Sequence, residues 1–156
     1  RRRTTAPKRS TAKASSVTCK DCLADGVTTK REAKYPGPRC YTHHRAVLAE
    51  RKARARAAHV ERTYSITEEQ YQAILAAQGG VCYICRRARG TGRRRLAVDH
   101  DHSCCPGPVS CGLCVRGLLC KPCNRDVLGH LRDDPEALQR AIQYLVNPPA
   151  KAVLGL

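Results

Sequence analysis

The stretch of sequence that decides the fold is framed by two Cys-x2-Cys pairs and reads CYIC at 82–85, LAVDHDH at 96–102 and VRGLLCKPCN at 115–124. The pairs are 34 residues apart, and each presents two thiolates to one tetrahedral ion with Zn–S distances of about 2.3 Å. The apolar residues at 96–98 and 115–119 predict two short strands. We therefore expect a zinc ion to clamp a β-hairpin. Its ligands are Cys82, Cys85, Cys120 and Cys123, with disulfides between the pairs as the alternative.

Helices are predicted on both sides of this hairpin. Before it, either Thr67 with Gln70 or Ser65 with Glu68 forms a capping box, and Gly79-Gly80 ends the helix. After it, a short helix is expected over 121–130. A last helix begins at Asp134-Pro135 and stops at Asn147, and the tail at 148–156 is expected to be frayed.

A second candidate zinc site precedes the basic middle of the chain. Residues 1–16 combine Lys, Arg, Ser and Thr and predict a disordered basic arm. The module at 17–43 has three thiols and an imidazole in metal-ligand spacing, namely Cys19, Cys22, Cys40 and His43, with His44 competing for the fourth position. Residues 44–63 then predict an exposed basic linker helix, followed by the main domain at 64–147.

A third group of thiols lies in the loop between the two strands, at Cys104, Cys105, Cys111 and Cys114. These four side chains either bind a third zinc ion or remain unpaired and redox-labile. The same loop contains Pro and Gly, which excludes a regular element there.

The composition indicates a polyanionic partner. The chain has 156 residues, 29 Lys and Arg against 13 Asp and Glu, and a formal charge of +16. Residues 1–62 hold 17 of the basic and 5 of the acidic side chains. Nucleic acid is the expected partner, since clustered cations release its counterions. There is no Phe, Trp or Met, so the aliphatic core must be thin. No apolar run is long enough for a membrane span, and we expect a soluble intracellular protein with reduced thiols.

Asp99, His100 and Asn124 form the candidate catalytic set. They lie at the end of one strand and directly after the last zinc ligand. Carboxylate and amide oxygens suit Mg²⁺, and an imidazole can take a proton from water. Singly, each residue has an ordinary structural explanation; together they predict metal-assisted phosphodiester hydrolysis.

The motifs GGVCYIC at 79–85, LAVDHDH, VRGLLCKPCN and LG at 128–129 resemble the recombination endonuclease VII family of ββα-metal (His-Me finger, HNH) nucleases. The resemblance implies a zinc-stabilised ββα-metal nuclease domain with flanking helices. It also implies that Asp99 and Asn124 bind Mg²⁺, that His100 is the general base, and that His102 supports the site. The expected substrate is duplex or branched DNA, in the cytoplasm of a bacterial or phage-infected cell, and a homodimer is one expected state.

Parts of the chain outside the resemblance are expected to dock DNA. These are the N-terminal zinc module, the basic helix and the Cys-rich loop, together with arginines near the predicted cleft, which are Arg93, Arg94, Arg95, Arg116 and Arg125. A non-catalytic multi-zinc DNA-binding protein is the alternative function. A redox-sensing Cys protein is a third.

Overall fold

The computed structural model describes residues 18–27, 31–91 and 94–155, so the predicted basic arm lies outside the described residues. The described parts form a small α+β structure, as expected. In chain order its elements are α1 (Lys20–Ala24), α2 (Tyr41–Tyr64), α3 (Glu68–Ala77), β1 (Ala97–His100), β2 (Val115–Leu119), a π-helix (Pro122–Gly129), α4 (Pro135–Val146) and α5 (Pro149–Leu154). None of the described helices is both long and apolar enough to cross a membrane.

The chain divides into two compact units, Arg1–Ala55 and Arg56–Leu156. In the first, Cys19, Cys22 and Cys40 form the buried centre, with Ala33 packed against them. Arg39 stabilises this unit, because its Nε donates a hydrogen bond to Asp21 over 2.6 Å. A core of three thiols and one alanine offers little apolar area, so a bound metal would have to contribute much of the folding free energy.

The second unit has the larger hydrophobic core, built around the fully buried Tyr71 and Leu118. Tyr71 also donates its hydroxyl to the backbone oxygen of Leu96 over 2.9 Å. α3, which carries Tyr71, begins at the predicted capping box: Thr67 accepts from the backbone of Gln70, whose side chain accepts from Thr67 in return. Val60 near the end of α2 is buried in this core as well. The last turns of the basic helix therefore belong to the second unit.

β1 and β2 pair antiparallel, as predicted, and the pairing carries an irregularity that matters for the site. Val98 faces Leu118 and Asp99 faces Gly117, but His100 faces Val115. Arg116 is thus the extra residue of a β-bulge, which bends the strand and redirects its side chain. The bulge lies directly beside two residues of the predicted catalytic set.

A buried glutamine completes the hairpin from outside the sheet. The side chain of Gln78 donates to the backbone oxygen of Leu118 over 2.8 Å and accepts from the backbone N–H of the same residue over 2.8 Å. It thereby pairs with β2 as a neighbouring strand would. Gly117 permits this approach, because a Cβ there would lie 2.9 Å from the Gln78 amide oxygen.

The helix expected over 121–130 is present, but as a π-helix at Pro122–Gly129. It carries Cys123 and Asn124. The tail that was expected to be frayed also differs from the prediction, since it contains α5 at Pro149–Leu154. Pro149 fixes the first helical φ, and Gly155 ends the helix in the left-handed conformation at φ 69°.

Candidate active site and metal centres

Three clusters of thiol and imidazole groups have the geometry of tetrahedral zinc sites. In each cluster the four ligand atoms lie within 4.8 Å of one another. Zn–S bonds of about 2.3 Å at tetrahedral angles place two sulfurs about 3.8 Å apart. The sulfur pairs in hydrogen-bonding range lie between 3.8 and 4.0 Å apart. The donor sets and their spacing therefore fit zinc.

The cluster that clamps the hairpin contains the four predicted cysteines, with Sγ of Cys85 and Sγ of Cys120 separated by 3.8 Å. Backbone N–H groups of Ala88 and Arg87 donate to Cys85 and lower the pKa of its thiol to about 6. A thiol held as thiolate near neutral pH is ready to bind a metal ion. Cys82 and Cys123 are buried in the hydrophobic core, which joins this site directly to the fold.

The N-terminal cluster decides between the two candidate histidines. His43 Nδ1 lies 3.4 Å from Cys19 Sγ, 3.4 Å from Cys22 Sγ and 3.5 Å from Cys40 Sγ. These distances match the roughly 3.6 Å expected for Zn–N and Zn–S bonds at a tetrahedral angle. His44 instead stacks on Tyr35, with ring centroids 4.9 Å apart. His43 is therefore the fourth candidate ligand.

A carboxylate orients this imidazole from its other side. His43 Nε2 lies 3.1 Å from Asp25 Oδ2. A carboxylate that accepts a hydrogen bond from the other ring nitrogen fixes the tautomer of a zinc-binding histidine and makes it a better ligand. Sequence reasoning did not single out Asp25, because an aspartate three residues after Cys22 has no metal-ligand spacing of its own.

The third cluster differs from the other two in its exposure. Cys104 and Cys111 are exposed, while Cys105 and Cys114 are partly buried. The Sγ atom of Cys111 lies 3.9 Å from that of Cys104 and 3.8 Å from that of Cys114. The adjacent Cys104 and Cys105 thus fit one metal site despite their proximity in sequence.

At the hairpin, the structure gives Asp99 a cationic partner that the sequence analysis did not assign to it. Asp99 is buried, and Arg116 donates to both of its oxygens, from Nε to Oδ2 over 2.7 Å and from Nη2 to Oδ1 over 3.1 Å. Hydrogen bonding to Asp99 is the main cause that raises the pKa of Arg116. A buried carboxylate requires such compensation, and a bidentate guanidinium provides it.

Asp133 continues the network to the second histidine of the motif. It accepts from Arg116 Nη2 over 3.0 Å, and its Oδ2 lies 3.0 Å from Nδ1 of His102. Burial acts to raise the pKa of Asp133, but the hydrogen bonds from His102 and Arg116 outweigh burial and hold it below its usual value. Asp133 therefore connects His102 to Arg116, and the supporting role of His102 stays a prediction. Asp99, Arg116 and Asp133 line a cleft of about 300 Å³ together with apolar residues.

The backbone at Asp133 is strained. Arg132 and Asp133 have φ values of 53° and 57°, in the left-handed region that non-glycine residues rarely adopt. Two successive residues of this kind turn the chain sharply before α4 and bring the carboxylate to Arg116. The sequence contains no signal for this, since Asp134 alone accounts for the helix cap.

His100 is buried at the end of β1 and is held by the loop that follows. Its Nε2 lies 3.2 Å from the backbone oxygen of Cys105 and 3.2 Å from that of Gly107. A carbonyl oxygen can only accept, so Nε2 is the donor in both contacts, and in the neutral ring Nδ1 then holds the lone pair. The ring also lies against His102, with centroids 4.6 Å apart. This is the tautomer that a proton acceptor at Nδ1 requires.

Asn124 occupies the first turn of the π-helix and is partly buried. Its backbone N–H donates to Cys120 over 2.9 Å, which ties it to the zinc knuckle. Within the described part of the chain, no hydrogen bond joins its side chain to Asp99 or His100. The structure thus brings together Asp99, His100 and His102, whereas Asn124 stands apart from their network.

The arginines expected to bind phosphate differ in the contacts that they make in the structure. Arg116 is engaged by Asp99, and Arg95 pairs with Glu68 over 2.7 Å while its guanidinium covers the ring of Tyr71. Arg125 pairs with its exposed neighbour Asp126, and Arg94 is exposed. Arg93 lies outside the described residues. Arg95 therefore serves the packing of α3, and phosphate binding by any of them stays a prediction.

Comparison with known proteins identifies the family. The sequence profile described as recombination endonuclease VII matches residues 57–147. The Gene 59 protein of Mycobacterium phage D29 is 53% identical over 137 residues, which cover 88% of this chain and 78% of that protein. The Gene 59 protein of Mycobacterium phage L5 is 50% identical over 137 residues, with the same coverage of both chains. The chain belongs to the recombination endonuclease VII family. No solved structure matches it.

Membership in this family implies a nuclease with DNA as its substrate, and the resemblance stated from the motifs is confirmed. The matched region contains the hairpin, its clamping cysteines and the Cys-rich loop, whereas the N-terminal zinc module lies outside it. Family membership does not by itself assign a role to an individual residue such as His100 or Asn124.

Proposed function

We propose that this protein is a Mg²⁺-dependent DNA endonuclease in which His100 is the general base and Asp99 and Asn124 hold the metal ion. The observation that carries the proposal is the pair of carbonyl contacts at His100 Nε2, because they leave Nδ1 free to accept a proton. The family supports nucleic acid hydrolysis as the reaction. The position of the His100 ring and its tautomer support its role as the general base in this hydrolysis.

The donor set fits a hard cation. Asp99 would contribute a carboxylate oxygen, and Asn124, which directly follows the zinc ligand Cys123, would contribute an amide oxygen, and both are donor types that Mg²⁺ prefers. Bound there, Mg²⁺ would stabilise the charge that develops on the phosphate and on the leaving oxygen. Arg116 would orient the Asp99 carboxylate, and Asp133 with His102 would hold Arg116 in turn.

The reaction then follows from the chain's own groups. His100 Nδ1 takes a proton from a water molecule, and the resulting hydroxide oxygen attacks phosphorus. The bond from phosphorus to the 3′ oxygen breaks, and the 3′ oxygen gains a proton from solvent. The products carry 5′-phosphate and 3′-hydroxyl ends, with no covalent enzyme intermediate. General-base catalysis of this kind contributes about 10²- to 10⁴-fold in rate.

The test compares His100→Gln with the wild type on supercoiled plasmid and on a four-way junction. Glutamine keeps an N–H donor for the two carbonyls but cannot act as a base near neutral pH. We expect cleavage to fall by about 10²- to 10⁴-fold with DNA binding retained. Mg²⁺ should be withheld by omission, because a chelator would also remove zinc from the thiol clusters.

His130→Ala is the matched control, because His130 is exposed on the segment after the π-helix. It should cleave like the wild type. Unchanged cleavage by His100→Gln would overturn the assignment of the base. A folded, zinc-loaded wild type that shifts DNA but never cuts it would favour the alternative, a non-catalytic DNA-binding protein. Preference for the junction over the plasmid separates branched from duplex substrates.

A further inference from the structure

The Cys-rich loop between the strands holds the two carbonyl groups that contact His100. Those oxygens belong to Cys105 and Gly107, inside the segment bounded by the third thiol cluster. The loop was expected to dock DNA. The contacts connect it instead to the proposed general base.

Both ends of this loop are fixed by hydrogen bonds. At its start, Asp101 donates its backbone N–H to Cys114 over 3.0 Å and accepts from the backbone of Cys105 over 3.0 Å. At its far end, Ser110 is buried and donates its backbone N–H to Thr63 over 2.8 Å. The two ends therefore have defined places on the second unit.

The middle of the loop has no comparable anchorage in the hydrophobic core. None of the residues from 103 to 109 is buried. The thiol cluster draws on both sides of Gly107, with Cys104 and Cys105 before it in the chain and Cys111 and Cys114 after it. A metal ion bound by all four sulfurs would close the segment into a short loop, which lowers the entropy of its carbonyl positions.

We infer that the third thiol cluster binds zinc and that this zinc positions the carbonyls of Cys105 and Gly107, which orient His100. The cysteines act through the loop backbone and are positioning residues, with no contact to the reacting atoms. Because His100 Nε2 donates to the loop, displacement of the loop would free the ring to rotate and to exchange tautomers. The inference rests on the proposed function, in which His100 is the base.

The first test is Cys111→Ser in the full chain, measured by zinc content and by single-turnover cleavage at saturating DNA. We expect zinc to fall from three ions to two per chain and the rate to fall by about 10- to 100-fold, as when a residue that orients a metal ligand or a reacting group is removed. DNA affinity should stay within about twofold, since no charge contact is lost.

Cys40→Ser is the matched control, since it removes one sulfur from the N-terminal cluster. It should also lower the zinc content to two ions. The ¹⁵N signals of its His100 ring should match those of the wild type, because the first unit does not supply the carbonyls that hold His100. Each variant loses one zinc ion, but only Cys111→Ser loses the ion of the loop cluster. A comparison of the two variants therefore isolates the effect of the loop zinc.

Gly107→Ala tests the carbonyl position without touching a sulfur. Gly107 has a φ of 118°, which a residue with a Cβ adopts only under strain, while nothing lies within 4 Å of the added Cβ. We expect three zinc ions and a reduced rate. In the wild type, the ¹⁵N signals of the neutral His100 ring should show one protonated and one unprotonated nitrogen. In Gly107→Ala and Cys111→Ser, the two nitrogen signals should be averaged by exchange between tautomers.

Two results would overturn the inference. One is a Cys111→Ser protein that keeps three zinc ions, and the other is a Cys111→Ser protein that holds two ions and cleaves at the wild-type rate. If Cys111→Ser does not fold, Gly107→Ala decides, and a wild-type rate with unchanged ring signals counts against the loop. Failure of the proposed function is distinct, because it would appear as cleavage by His100→Gln.

Discussion

Arg116→Ala should destabilise the second unit and make its stability depend on Mg²⁺. The variant removes both hydrogen bonds to Asp99, whose side chain is only 5% exposed. Breaking a buried ion pair by removing one partner costs about 3–5 kcal/mol. Arg116 itself is 37% exposed, so solvent screens part of this and about 2 kcal/mol is expected.

The Mg²⁺ dependence tests the metal ligand directly. If Asp99 binds Mg²⁺, the ion replaces the lost guanidinium, and at ten times its dissociation constant it adds about 1.4 kcal/mol to the stability of the variant. In the wild type, Arg116 already compensates the charge of Asp99, so the gain from Mg²⁺ should be smaller. Urea unfolding followed by circular dichroism, with and without Mg²⁺, gives both quantities.

Two further variants complete this experiment. Arg125→Ala removes an exposed pair with Asp126 and should change stability by less than about 1 kcal/mol. Combining Asp99→Asn with Arg116→Ala removes the uncompensated charge and should recover part of the loss. An Arg116→Ala protein as stable as Arg125→Ala would refute the compensation of Asp99. An Arg116→Ala protein whose stability does not change with Mg²⁺ would refute Asp99 as a metal ligand.

Two more outcomes are expected. Arg95 holds the pKa of Glu68 below its usual value, so the pair stabilises the fold above the unfolded pKa of about 4.3 and this contribution is lost as the pH falls through the folded pKa. The difference in the free energy of unfolding between wild type and Glu68→Gln should therefore shrink from pH 7 towards pH 3. A difference that stays constant over this pH range would contradict the pairing. Zinc release at low pH affects both proteins alike. Removing residues 1–55, which hold 15 basic and 4 acidic side chains, should weaken DNA binding and flatten its salt dependence while cleavage continues. Equal affinity and salt slope for the shortened chain, from binding isotherms at several salt concentrations, would show that this unit does not bind DNA.

The parts of the fold that the sequence predicted are those fixed by local rules. The capping box of Thr67 and Gln70 depends on residues three apart, and the two strands depend on short apolar runs. The cysteine clusters were predictable because tetrahedral zinc restricts ligand spacing. The choice of His43 over His44 was not predictable, because the two histidines are adjacent in the sequence. The structure separates them, since His43 Nδ1 lies 3.4 Å from Cys19 Sγ and His44 stacks on Tyr35.

The contacts that the sequence did not predict join residues far apart in the chain. Gln78 pairs with Leu118 forty residues later, and Asp133 reaches Arg116 through a left-handed turn that no residue type announces. Arg116 was predicted to bind phosphate because an arginine near a cleft commonly does. Its bidentate contact with Asp99 depends on the β-bulge, which follows from the pairing register of the two strands.

The orientation of His100 is the hardest of these features to detect in a sequence, because its partners are backbone oxygens. A carbonyl group is present at every residue, so neither Cys105 nor Gly107 carries a side-chain signal for this contact. What the sequence does display is the means of holding the carbonyls, four cysteines in a loop with little apolar burial. In a chain without Phe, Trp or Met, packing alone offers few ways to fix such a loop, whereas a metal ion fixes it with four side chains. The third cluster therefore has a structural reason to lie beside the proposed base.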